Sequence, residues 1–178
     1  MLQKKEEMVL KIVKYGEPVL ERRAEAVTEF DTPELHELIA SMWETMYSAK
    51  GVGLAAPQVG VGQRISVIDV SVGEDESKKI VIINPEITFT EGTQVGEEGC
   101  LSIPGFREPV SRANIVKVRA QNEKGEPIEL EGEELLARAF QHEIDHLNGI
   151  LFINHLSALK RDIIRRKIKK LQRAGEWE

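Results

Sequence analysis

Two histidines four residues apart, His142 and His146, with an acid directly after the first, are the part of this sequence best equipped for chemistry. On a helix that spacing separates them by only about 40° around the axis, so both imidazoles share one face and can grip one metal ion. Glu143 is displaced from His142 by about 100°, near the same edge, where a carboxylate reaches a metal-bound water without being a ligand. That is the geometry of a general base. A catalytic metal usually takes three protein ligands and leaves one position for water or substrate, so a third donor is needed. His36 and His155 read as surface residues. Cys100 is the single cysteine and forms no internal disulfide; it is either small buried apolar filler or a thiol with chemical work. It sits in Gly96-Glu97-Glu98-Gly99-Cys100-Leu101-Ser102-Ile103-Pro104-Gly105, whose glycines let the backbone approach another element. A thiolate there would complete a Cys-His-His shell.

These side chains need elements to carry them. The periodicity predicts a helix over residues 133–147 that stops at Gly149, with Leu136, Phe140, Ile144 and Leu147 as a core stripe. Leu135, Arg138 and Ala139 fall on the histidine face instead. Thr32-Pro33 reads as the start of another amphipathic helix through Leu35, Leu38, Ile39, Met42 and Met46, ending by Gly51. Strands are expected at 64–70, 79–84, 86–90, 115–120 and 127–130, and a third helix after Ser157. Residues 9–27 read as an extended arm leading into a short helix, through the Gly16-Glu17-Pro18 turn. Strands followed by helices point to an α+β domain, with antiparallel sheets around a central metal-binding helix and an amphipathic C-terminal helix.

The 178 residues fit a single domain, 1–178, with residues 1–8 expected as a flexible N-terminal extension. No apolar run approaches the ~20 residues of a membrane span, and the N-terminus lacks the pattern of a signal or transit peptide, so a cytoplasmic protein with no membrane partner is expected. The net charge of −6 is uneven: residues 157–178 carry eight Lys or Arg against three acids, and the rest of the chain sixteen against twenty-seven.

Glu98-Gly99-Cys100-Leu101-Ser102 and Gln141-His142-Glu143-Ile144-Asp145-His146 resemble the second and third motifs of the peptide deformylases. Gly51-Val52-Gly53-Leu54-Ala55-Ala56-Pro57-Gln58-Val59-Gly60 resembles the first, and order and separation fit that family from about residue 12 to 171. The resemblance implies a metallohydrolase acting on a linear amide, which removes the formyl group from N-formyl-methionyl nascent peptides during protein biosynthesis. It further implies one divalent ion on Cys100, His142 and His146, with Fe(II) the physiological metal. The same donors suit Zn(II), Ni(II) or Co(II). Glu143 is then the acid/base, and Gln58 with the Leu101 backbone N–H forms the oxyanion site. A metal lowers the pKa of bound water to about 7, which makes hydroxide available at neutral pH. The methionine slot falls to Leu135, Ala139 and the aliphatic stem of Arg138, whose charge is expected to pair with Glu98. Gly51, Val52, Gly53 and the segment Gly96–Gly99 are expected to present backbone edges to an extended peptide.

Rival readings fail on context. Gly51-x-Gly53-x-x-Ala56 imitates a dinucleotide fingerprint, but a helix precedes it and a strand follows, the reverse of what that fingerprint requires. A metzincin would place its third histidine six residues after the second, whereas His155 lies nine after His146. A non-catalytic binding protein with a structural metal has no use for Glu143. The basic C-terminal helix is expected to dock on ribosomal RNA; no DNA partner is expected.

Overall fold

Thr32 begins the first helix as the sequence predicts: its hydroxyl accepts from the Leu35 N–H at 3.1 Å, Pro33 occupies the first turn, and α1 runs over Pro33–Ser48. The computed structural model describes residues 8–177; the expected N-terminal extension, apart from Met8, lies outside the described residues. Seven strands follow, β1 (Gly53–Ala55), β2 (Ile65–Ile68), β3 (Ile80–Glu91), β4 (Gln94–Cys100), β5 (Ile103–Arg112), β6 (Ile115–Gln121) and β7 (Pro127–Glu133). Then come α2 (Glu134–Leu147) and α3 (Ala158–Arg173), the latter capped by the Ser157 side chain. Residues 18–21 form only a short 3-10 turn at the end of the N-terminal arm.

Five strands make one antiparallel sheet in the order β1-β2-β3-β6-β7, and β4 pairs with β5 as a separate two-stranded sheet. Helices pack on both faces of the larger sheet. Ile65, Val67 and Ile83 join Ile39, Met42 and Met46 of α1, whereas Ile68, Ile82, Val116 and Val118 join Ala137, Phe140 and Ile144 of α2. The alternation along β2 buries both of its faces, the pleat sending successive side chains to opposite helices. A third cluster seats α3 on β5 and on residues 151–153 through Ile164, Ile168, Ile103 and Val110.

Two expectations need correction. The strands expected at 79–84 and 86–90 are one strand, β3, carried through Asn84-Pro85 by an irregularity in its register with β6. Asn84 takes a left-handed φ of 50° and its amide replaces the missing backbone bonds, accepting from Val27 N–H and donating to Val27 O, both at 2.9 Å. The segment around Cys100, read only as glycine-rich, forms β4 and β5. Gly149 ends α2 at a φ of 75°, and a Cβ there would lie 2.8 Å from the Glu21 backbone, so the position has room for glycine alone. Among the described residues no helix is long and apolar enough to cross a membrane.

Candidate metal centre and active-site groove

His142 and His146 leave α2 on the same face, with their Nε2 atoms 3.1 Å apart. β4 ends at Cys100 against that face, which puts its Sγ 3.4 Å from His146 Nε2. Among the described residues these three form the one His/Cys/acid group whose donor atoms converge, all within 4.8 Å of one another. A tetrahedral ion about 2.0–2.3 Å from each donor would hold them about 3.3–3.6 Å apart, close to the separations His146 makes with His142 and with Cys100.

The surrounding charges fit one as well. His142 Nδ1 lies 2.8 Å from Glu98 Oε1, which orients the ring so that Nε2 faces the other two donors. Burial opposes charge on His142, but Cys100 and Glu98 outweigh it and push its pKa up to about 10. The negative field that favours a proton there favours a divalent cation too. His146 is held neutral, its pKa driven well down by burial and then by the neighbouring His142, so its nitrogen is available for coordination.

Glu98 is itself gripped from three sides. Arg112 forks onto it, Nε to Oε2 at 2.9 Å and Nη2 to Oε1 at 2.8 Å, and Arg138 Nη1 also donates to Oε2. Burial would raise the Glu98 pKa, yet its bonds to Arg112 and His142 hold it well below the usual carboxylate range. Arg112 Nη1 continues to Asp145 at 2.6 Å, and Asp145 accepts His155 at 2.8 Å, so a chain of bonded side chains runs from His142 through Glu98 toward the surface. His36 is partly exposed and remote from this network, bonded to Asp31 and Glu123 at 2.7 Å each.

Glu143 lies beside these donors with only 4% of its surface exposed. Burial pushes its carboxyl up to about 7, partly offset by the charge of His142 and a bond from Ser66. A Cβ on Gly53 would sit 2.6 Å from Glu143 Oε1, so only glycine lets the strand approach this closely. Gln58, on the 3-10 turn Ala56–Val59, is buried and its amide is fixed end to end. Oε1 accepts from Ala55 N–H at 3.0 Å, leaving Nε2 to donate to Ser102 Oγ at 3.2 Å and approach Cys100 Sγ at 3.5 Å.

A groove of about 550 Å³ opens beside these residues. Gly51, Val52 and Gly53 line it together with Gly99, Cys100 and Leu101. From α2 come Leu135, Arg138, Ala139, His142 and Glu143, while Gln58 closes the inner end with them. His146 is buried behind His142 at 1% exposure. Leu135, half exposed, stands at the mouth. Gly96 does not line the groove; it lies against the Arg138 guanidinium. Reading the sequence missed Arg112, Ser102 and Ser66 at this site. Ser66 had left a trace, as a lone hydroxyl in the apolar run Ile65-Ser66-Val67-Ile68.

A model of the polypeptide deformylase family matches residues 9–162 of the chain. A peptide deformylase of Acidobacterium capsulatum is 61% identical over 170 residues, covering 96% of this chain and 99% of its own. One from Thermodesulfovibrio yellowstonii is 51% identical over 161 residues, covering 90% and 97%. The crystal structure of a peptide deformylase from Legionella pneumophila matches with a TM-score of 0.87 at 48% identity, covering 96% of this chain and 99% of that one.

Proposed function

The chain belongs to the polypeptide deformylase family, and from that premise we propose that Cys100, His142 and His146 hold its catalytic metal beside Glu143 as acid/base. The family's activity is hydrolysis of the formyl amide on the N-terminal methionine of newly made polypeptides. The observation that carries the residue assignment is the convergence of three donor atoms beside a buried carboxylate on one groove. A divalent ion on these donors supplies Lewis-acid activation of water and of the formyl carbonyl.

The chain's own residues do the rest. Glu143, poised near neutrality, accepts the proton of the attacking water and delivers it to the departing amine, which leaves a free methionyl N-terminus and formate. Gln58 Nε2, fixed by the Ala55 bond, and the Leu101 N–H meet the negative charge that develops on the formyl oxygen, a contact worth about 3 kcal/mol per donor. Leu135, Ala139 and the stem of Arg138 receive the methionine side chain, and pairing the Arg138 charge with Glu98 keeps the slot's wall apolar. Gly51, Val52, Gly53 and Gly99 present backbone to the following residues of the peptide, so that later side chains are read little.

We assign Fe(II) as the physiological ion and the cytoplasm as the place of action, where nascent chains emerge. Metal analysis of anaerobically purified protein, alongside turnover of a formyl-methionyl peptide, tests both metal and activity. Chelation is expected to abolish turnover and Fe(II), Co(II), Ni(II) or Zn(II) to restore it in different degrees. Turnover that persists in metal-free protein overturns the assignment. Equal activity of aerobic and anaerobic preparations overturns Fe(II) in favour of Zn(II) or Ni(II).

We also propose that α3 docks the enzyme on ribosomal RNA. Its apolar residues do not form one stripe: Ile164 and Ile168 are buried, whereas Leu159 and Ile163 stay 72% and 41% exposed among basic neighbours. Arg165 turns inward to bond Tyr15 at 3.2 Å, whereas Arg166, Lys169, Lys170 and Arg173 are among the exposed basic residues of the helix. Co-sedimentation with ribosomes is expected to fall steeply with salt, and the Glu variant of those four positions to bind far more weakly. Equal binding by variant and wild type at every salt concentration would sink the docking.

A further inference from the structure

Ser66 interrupts a strand that is otherwise apolar and buried on both faces, Ile65-Ser66-Val67-Ile68. A hydroxyl in such a place is costly unless bonded, and an alanine or valine would fill the same sheet position without that cost. Its partners therefore show what the oxygen is for. Ser66 Oγ is 0% exposed and lies 2.8 Å from Leu54 O and 3.2 Å from Glu143 Oε2.

The hydroxyl carries one proton, shared between these two acceptors, and the nearer of them, Leu54 O, fixes the oxygen. Leu54 and Ser66 lie on β1 and β2, whose register pairs Leu54 with Val67 and Ala55 with Ser66, so the carbonyl that holds Oγ is itself held by the sheet. The second contact ties that fixed point to α2. Pleat direction makes the tie available: Ile65 and Val67 face α1, and Ser66, one step along, faces α2 where Glu143 lies.

A glutamate carboxyl is otherwise loosely oriented, because the terminal torsion is broad and roughly two-fold. With Oε2 held at Ser66, the other oxygen has one direction left. Oε1 lies against Gly53, at the place a Cβ would have occupied, and both Gly53 and Glu143 line the groove. We infer that Ser66 is a positioning residue: its hydroxyl anchors Glu143 Oε2 to the β1–β2 pair and so holds Oε1 toward the groove for proton transfer. Ser66 is itself neither one of the three converging donors nor a groove-lining residue, and reaches the groove only through Glu143.

The inference rests on the acid/base reading of Glu143 and has a distinct kinetic signature. An oriented proton carrier serves the chemical step and not substrate capture, so kcat falls while KM holds. The experiment compares Ser66→Ala, Ser66→Thr and Ser66→Val with wild type and Glu143→Gln, using a formyl-methionyl peptide, with kcat expressed per bound metal and Tm recorded. Thr and Val add the same methyl group to the interior, so their difference isolates the hydroxyl. The expected result is kcat lowered about 10–30-fold in the Ala and Val variants, KM within about twofold of wild type, and kcat largely restored in the Thr variant.

Ala within about twofold of wild-type kcat overturns the inference, as does an equal fall in Thr and Val, which would mark a packing role only. The two readings separate through the control. Inactive Glu143→Gln with unimpaired Ser66→Ala overturns the positioning role alone, whereas an active Glu143→Gln overturns the acid/base assignment and the positioning role with it.

Discussion

Glu143→Gln is expected to lower formyl-peptide hydrolysis by about 10²–10⁴-fold while the protein still binds one metal per chain. The substitution leaves Cys100, His142 and His146 untouched and preserves the shape of the side chain. An amide at this position can still accept from Ser66, so the fold of the groove is retained. What it lacks is the capacity to take a proton from water and return it to the amine. Burial has already raised the carboxyl to about 7, which places proton gain and loss within reach at neutral pH, whereas the neighbouring Glu98 is held ionised by its arginines. Steady-state turnover with metal analysis of the same preparation checks this. Activity within tenfold of wild type would remove Glu143 from the proton-transfer role.

Glu98→Ala is expected to weaken metal binding by about 10–100-fold and to lower stability by about 3–5 kcal/mol. Both effects arise from one buried carboxylate. Without it, Arg112 and Arg138, buried at 6% and 8% exposure, lose the charge they share; Arg112 keeps Asp145, but Arg138 keeps no ion-pair partner among the described residues, and an uncompensated buried guanidinium is far costlier than the absence of the whole pair. His142 loses the acceptor that orients its Nε2 toward the other donors. Thermal unfolding is expected to come on the order of 10 °C earlier. The effect also depends on pH. The folded protein holds the Glu98 carboxyl below its ordinary value of 4.5, so its stabilisation is fully present above that value and is lost as pH falls through the lower folded one. The stability gap between wild type and variant should therefore narrow only in acid, below about pH 4.5. An unchanged melting temperature at neutral pH, with metal affinity intact, would show that the two arginines find other partners.

Much of α2 was legible because its signal is local. The spacing of His142, Glu143 and His146 determines their relative directions as soon as the segment is helical, and Leu136, Phe140 and Ile144 mark which side packs on the sheet. The first helix announced itself in the same way, by Thr32-Pro33 and the periodic Leu35, Ile39, Met42 and Met46. The β4–β5 pair escaped for an equally physical reason. Strands are recognised by alternating apolar residues, but what β4 turns inward at Glu98 and Cys100 is a carboxylate and a thiol, directed at a functional centre instead of a hydrophobic core. A strand that buries chemistry carries no hydrophobic period.

The boundary between what sequence and tertiary structure each decided follows the reach of the interactions. Sequence determined, through backbone geometry within a few residues, that two imidazoles and a carboxylate share one helix edge, and through three motifs to which family they belong. Only the packing of β4, β5 and β2 against α2 brings Cys100 to His146 across 46 positions, Arg112 to Asp145 across 33 and Ser66 to Glu143 across 77. Such contacts leave no periodic trace, because a buried polar side chain needs a partner in space and is indifferent to where along the chain that partner lies.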